Sequence, residues 1–338
     1  MSGSVRTMPE EQKKALRRAR WIEAIWLAAL ATIVIAIYFS VGNSQAMKTA
    51  WIEDMLSFVP PIAFLVASWI EGWAPSDRFP LGFIRVTSIA YLMSAVALGG
   101  VGIFLIVDSS IALIKADHPT IGSVELFGVT IWLGWVMIVA LVYSVVLPVI
   151  FGRLKMTPAR QLHDKTLLAD ALMNKADWMT GLAAIAGIFG IGLGWWWADA
   201  VAAIVIALDV LHDGVKHTGA AIRDLSDEVP RTVDDQEFEP LIDDIRDCVD
   251  QLPWVRESRL RLREEGRFLT GTIYVVPQDG SVSPERIEAA ERDLLDLHWR
   301  VHDVSIMPRS RIESPPTGRT DESGPSPLRA GAVRRAER

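Results

Sequence analysis

Asp170, Asn174 and Asp177 recur at spacings of four and three residues along the apolar stretch from Leu168 to Gly194. In a helix turning roughly 100° per residue, the three side chains fall within about 60° of one another. Carboxylates and an amide on one face can ligate a cation through oxygen or carry a proton. Ionisable groups inside a membrane-crossing helix are costly, which makes each a functional candidate by default. An earlier apolar stretch offers a partner face, where Asp54 and Ser57 are i,i+3 neighbours. Asp54 and Asp177 would be the direct ligands, with Asn174, Ser57 and Asp170 beside them. Such an oxygen-only set suits Mg²⁺, Mn²⁺ or Fe²⁺ better than Zn²⁺. No resident cofactor is implied. Two further readings stay open from the residues alone: a proton relay without a cation, and relic polar groups held by water. Lys175 points away from this face. At about 1.5 Å per residue it lies about 12 Å from the cytoplasmic end of its span, and Asp209 lies about 13–14 Å from the same face. The two are therefore expected to form a buried ion pair. The sharper alternative makes Lys175 a fixed charge in the ion path.

The elements that must position these groups are apolar helices. The chain has 338 residues, half of them hydrophobic, and a formal net charge of −7 that argues against nucleic acid as a partner. The single cysteine, Cys248, excludes an intrachain disulfide framework. Long apolar runs fill the chain before Asp224, and a charged, soluble-type pattern follows it. Six candidate spans lie near 21–42, 48–72, 83–107, 125–151, 167–194 and 196–218, each close to the roughly 20 residues a bilayer requires.

Lys and Arg concentrate in residues 1–20, near Arg78 and Arg85, around Arg153, Lys155 and Arg160, and after Lys216, whereas the alternate connections carry almost none. By the positive-inside rule both termini are expected in the cytoplasm, with the chain multi-pass in the inner or plasma membrane. Trp195, Trp196 and Trp197 fit an outer aromatic belt. Pro60-Pro61 should bend the second span. His212, Asp213 and His217 read as a wetted helix end.

The expected domains are a basic cytosolic segment (1–20), a six-helix transmembrane domain (21–225), a cytosolic α+β domain (230–308) and a disordered tail (309–338). In the third, helical spacing over Asp235–Leu252 and Pro284–Leu297 alternates with strand patterns over Val255–Arg263, Phe268–Val276 and Val301–Met307. The order αββαβ predicts a ferredoxin-like layer of helices on a sheet. The fold class is thus an α-helical membrane protein of six transmembrane helices with a C-terminal cytosolic α+β domain.

Six spans with both ends inside, followed by such a domain, resemble the cation diffusion facilitator family. Pro75-Ser76-Asp77-Arg78-Phe79-Pro80-Leu81-Gly82-Phe83-Ile84-Arg85 is similar to the family's P-A-D-x-x-H-P-x-G-H-G-R loop, one residue short between the Asp and the first His position. Ala169-Asp170-Ala171 through Asp177 resembles its A-D-A-x-H-x-x-x-D helix. Trp197-Ala198-Asp199-Ala200 resembles the opening of its sixth span, and Leu225-Ser226-Asp227-Glu228-Val229-Pro230 the exit into its cytosolic domain. The likeness covers about residues 15–308.

The resemblance implies a homodimeric antiporter, not an enzyme, that exchanges a divalent cation for protons across the bilayer by alternating access. It also assigns ligands, and there this chain departs from the pattern. The four positions of the family's tetrahedral site read Asp54, Phe58, Met173 and Asp177. Phe79 and Phe83 stand where the loop has histidines, and Ser258, Tyr274 and Met307 where the cytosolic domain often does. None of the six histidines falls on a family ligand position. Zinc binding of the family's usual kind is therefore not expected. The alternative function is a transport-inactive homologue serving as a structural or regulatory membrane partner.

Overall fold

The computed structural model describes residues 8–40, 51–52, 54–115, 123–126, 129–192, 194–195 and 197–312. The chain divides into two compact units, Glu10–Arg223 and a second comprising Met1–Pro9 with Asp224–Arg338.

The first unit is helical. Its elements are α1 (Glu10–Ser40), α2 (Val59–Ile70), α3 (Val86–Ile114), β1 (Ser123–Leu126), β2 (Val129–Trp132), α4 (Leu133–Leu162), α5 (Lys165–Gly192) and α6, which begins at Ala198 and ends at Leu225. Three helices among the described residues are long and apolar enough to cross a membrane: Glu10–Phe39, Val86–Ile114 and Leu133–Leu162. Large apolar side chains such as Val139, Val205 and Ile222 lie exposed on the outside of this unit, as suits a surface solvated by lipid.

Several sequence expectations are corrected. The first helix takes in most of the basic N-terminal segment and starts at Glu10. The second span is helical from Asp54 to Ile70 with one interruption. It tightens into a turn at Ser57–Phe58, and α2 begins immediately after. Pro60 and Pro61 sit in the first turn of α2, and the interruption falls where their missing N–H groups would have bonded back to Leu56 and Ser57. The fourth span starts at Leu133, because Ser123–Leu126 and Val129–Trp132 pair as an antiparallel hairpin. Val129, Thr130 and Ile131 are β-branched, which favours that conformation. At its other end α4 runs on to Leu162, so Arg153, Lys155 and Arg160 belong to a helix and not to a loop.

α4 and α5 form a tight helical hairpin. His163 takes a left-handed φ of 50°, and Asp164 caps α5 by accepting from the Leu167 N–H at 2.9 Å. Small residues let the helices approach. A Cβ on Gly102 of α3 would lie 2.7 Å from the backbone nitrogen of Leu211 in α6, and Gly214 of α6 abuts Gly99 in the same way. In α4, Gly152 faces Asn174 of α5.

The second unit contains α7 (Leu241–Asp250), β3 (Val255–Glu265), β4 (Phe268–Pro277), α8 (Pro284–Leu297) and β5 (Val301–Pro308). β3 and β4 are antiparallel through a turn at Gly266, whose φ is 63°, and β5 joins β4 in parallel, giving the order β3-β4-β5. Ile242, Ile245 and Val249 of α7 and Ala290 and Leu294 of α8 pack on Leu260, Ile273, Val275, Val304 and Ile306. α7 starts at Leu241, not at Asp235. Pro240 disfavours helix at the residue before it, and the preceding segment instead closes a bridge between Arg231 and Phe238. The disordered tail expected for 309–338 lies outside the described residues beyond Ile312.

Candidate cation site

The turn at Ser57–Phe58 and the middle of α5 bring Asp54, Ser57 and Asp177 together, all of them buried, and Asn174 is buried one turn before Asp177 on α5, against Gly152 of α4. Ser57 Oγ donates to Asp177 Oδ1 at 2.6 Å. Asp54 lies close enough to Asp177 to feel its charge. The second oxygens of both carboxylates, and both polar atoms of Asn174, have no hydrogen-bond partner among the described residues. Unpartnered buried polar atoms are rare in folded proteins and call for a bound species or water. Asp54, Ser57 and Asp177 present a small oxygen set of two carboxylates and one hydroxyl, with the Asn174 amide one turn away along α5. Such a set can hold a hard cation. Among the described residues, no group of three or more His, Cys, Asp or Glu side chains is placed to hold a metal ion.

The other two family ligand positions turn elsewhere. Phe58 packs with Trp26, Leu30, Met137 and Leu141. Met173 is fully buried among Leu98, Val101, Leu105, Ala207 and Val210, where its thioether serves as packing. In the loop between α2 and α3, Phe79 and Phe83 have ring centroids 4.7 Å apart, and Trp73 stands edge-on to Phe83. In the second unit Ser258 donates to Asp250 at 2.5 Å, Arg309 lies over Tyr274, and Arg309 also donates to Met307 Sδ at 3.1 Å. Rings and hydrogen bonds fill each place.

Asp170 does not join the site. It accepts a hydrogen bond from Lys155 of α4, and Lys155 Nζ is also 3.0 Å from Glu23 Oε2 of α1. All three side chains have 0% exposure. The ammonium lies 4.9 Å from the centroid of the Trp26 ring, a favourable cation–π placement. Sequence reading missed Glu23 and misplaced Lys155. The signal for Glu23 was present: it is an acid inside the apolar run that starts at Trp21. Nothing local links Lys155 to Asp170, which lies 15 residues further along the chain.

Lys175 and Asp209 lie 3.0 Å apart, with Asp213 at 3.6 Å. They are not buried in the bundle as expected, since Lys175 and Asp209 are 42% and 48% exposed on the outside of α5 and α6. Asp213 is thus part of this cluster. His217 is buried, with Nδ1 2.9 Å from the Tyr91 hydroxyl. Trp195 and Trp197 stack with centroids 6.4 Å apart, and Trp196 lies outside the described residues.

A family profile described as the cation efflux transmembrane domain matches residues 21–226, more than half of the chain. The chain belongs to the cation efflux family. This cation efflux protein is 24% identical over 270 residues to the manganese efflux system protein MneP of Bacillus subtilis, a match covering 77% of this chain and 84% of that one. It is 25% identical over 268 residues to the cation-efflux pump FieF of Salmonella paratyphi A, covering 78% and 82%. A FieF pump from Salmonella arizonae is 25% identical over 248 residues, covering 71% and 75%. Its apolar helices and its family make it a membrane protein of the cation-transporter class.

Proposed function

We propose that this protein exports a hard divalent cation in exchange for protons, working by alternating access as a homodimer in the plasma membrane. The observation that carries the reading is the buried pair Asp54 and Asp177, with Ser57 hydrogen-bonded to Asp177 and one oxygen of each carboxylate left unpartnered among the described residues. Oxygen donors without imidazole favour Mn²⁺, Mg²⁺ or Fe²⁺ over Zn²⁺. The manganese efflux protein among its relatives agrees with that choice. In this reading α5 and α6 also span the bilayer. Each has 28 residues, or about 42 Å at 1.5 Å per residue, ample for the hydrocarbon core. Six spans put both termini in the cytoplasm, and the αββαβ unit is a ferredoxin-like cytosolic domain.

A second reading has an observation of its own. Without a third His, Cys, Asp or Glu at the site among the described residues, the protein would be a transport-inactive homologue acting as a membrane partner. Liposomes holding purified protein and a pH-sensitive dye separate the two when challenged in turn with Mn²⁺, Mg²⁺, Fe²⁺ and Zn²⁺. The transporter reading expects proton movement with Mn²⁺ or another hard cation, abolished by Asp177→Ala and Asp54→Asn. No cation-dependent signal, and no effect of either substitution, establishes the inactive homologue.

A further inference from the structure

Glu23, Lys155 and Asp170 are contributed by α1, α4 and α5 and are shut off from solvent. The charges do not balance. One ammonium faces two carboxyl groups, and these are close enough to interact directly with each other. Glu23 Oε1 and Asp170 Oδ1 have no hydrogen-bond partner among the described residues, although both are buried. The aromatic face of Trp26 meets the ammonium and brings no donor to either carboxyl. With all three groups ionised the cluster carries net −1 in a medium where an uncompensated charge costs several kcal/mol or more. A proton between the carboxyls brings the sum to zero and supplies the missing donor.

We infer that the Glu23–Lys155–Asp170 cluster is a proton-binding site separate from the cation site, and that the proton exchanged for the cation is held there. The inference rests on the antiporter reading above and adds the place of the counter-ion. The proton binds a carboxylate oxygen as an O–H, the cluster passes from −1 to neutral, and no other bond changes. Among the described residues the charged groups facing the cluster are few. α1 contributes Glu23, while Arg20, one turn earlier, donates to Ser68. α4 contributes Lys155. α5 contributes Asp170 and, seven residues on, Asp177. Those seven residues amount to two turns, about 10 Å along one helical face. Asp177 feels the charge of both Asp170 and Lys155. A proton arriving at the cluster and a cation leaving Asp54 and Asp177 therefore influence each other through a continuous electrostatic path.

Full-length protein in lipid, titrated under infrared spectroscopy, tests the site without transport. A protonated carboxyl C=O band that appears on acidification and shifts in D₂O is expected. It persists in the double variant Asp54→Asn/Asp177→Asn, moves in Glu23→Asp, and is lost in Glu23→Gln. In Mn²⁺-loaded proteoliposomes Glu23→Gln, which holds the cluster in its neutral state, is expected still to bind Mn²⁺ but with less pH dependence than wild type, and to lose Mn²⁺-driven proton movement. A wild type with no titrating band, a band that survives Glu23→Gln, or full proton coupling in Glu23→Gln overturns the inference. If Glu23→Gln does not fold, the wild-type titration and the Asp54→Asn/Asp177→Asn and Glu23→Asp variants still decide it. A wild type that shows the band but moves no protons with any cation overturns the antiporter reading instead, and leaves the proton site supported.

Discussion

Replacing Lys155 by Met removes the only cation from a cluster with no exposed surface. The shape of the stem is nearly conserved, so the effect is electrostatic. At an effective dielectric of about 20, one contact at 3.0 Å carries roughly 5–6 kcal/mol of attraction. Most of that is offset in the native protein by stripping water from the ions. Deleting one partner recovers the desolvation of the lysine alone and leaves the carboxyls uncompensated, which typically costs about 3–5 kcal/mol. The expected result is a loss of that size in unfolding free energy, measured by titrating SDS into detergent micelles of the full-length protein. The triple variant Lys155→Met/Glu23→Gln/Asp170→Asn removes the imbalance and should recover most of the loss. A single variant within about 1 kcal/mol of wild type, the ceiling for an exposed pair, would refute the picture of a buried, mutually dependent triad.

Other perturbations probe other parts. Ser57→Ala deletes the donor to Asp177 and should weaken Mn²⁺ binding by isothermal titration severalfold, the equivalent of about 1 kcal/mol, since it disturbs one ligand without removing it. Gly102→Val would push into the Leu211 backbone and should destabilise the α3–α6 packing by about 1–3 kcal/mol in the same SDS titration. Arg300→Ala strips the guanidinium from Glu239 and Glu264, and faster hydrogen exchange of β3 to β5 amides should report a loss of about 3 kcal/mol. Burial, followed by the nearby Arg300, lowers the His298 pKa from its ordinary value, so the folded protein prefers the neutral ring. The unfolded chain then binds the extra proton first. This contribution is complete above about pH 6.5 and is lost on acidification through the folded-state value. Exchange protection of β5 should fall between neutral and mildly acidic pH, and His298→Gln should flatten that dependence.

Helical spacing gave the face of α5 that carries Asp170, Asn174 and Asp177, but not what each meets. Periodicity fixes an angle about the axis, whereas partners are fixed by neighbouring helices at each depth. At the level of Asp177 the neighbour is the turn with Asp54 and Ser57. Two turns away it is α4 with Lys155 and α1 with Glu23, and the single stripe becomes two clusters. The basic run of Arg153, Lys155 and Arg160 reads as a loop because charge counting registers topology without seeing a helix run on past the apolar segment. Equal depth brought Lys175 and Asp209 into consideration together, yet depth says nothing about whether a third helix covers them. The αββαβ order and the Gly266 turn were legible because strand alternation and turn residues are local signals. The start of α7 was not, because Pro240 overrides the apolar spacing before it. Phe58 and Met173 could be recognised in the sequence as unable to act as hard-cation ligands, but the apolar clusters they join are tertiary and could not.

The left-handed His163 joins α4 and α5 by the shortest of links, and this has a kinematic consequence. Lys155, Asp170, Asn174 and Asp177 all ride on that one hairpin, while Glu23 belongs to α1 and Asp54 and Ser57 to the segment leading into α2. A tilt of the hairpin as a rigid body must change the Asp54–Asp177 gap and the Glu23–Asp170 gap in one stroke. The two clusters lie about two turns apart on the same lever arm, so their displacements scale with distance from a single pivot. Locking the pivot, for instance by crosslinking α1 to α4, would arrest both together.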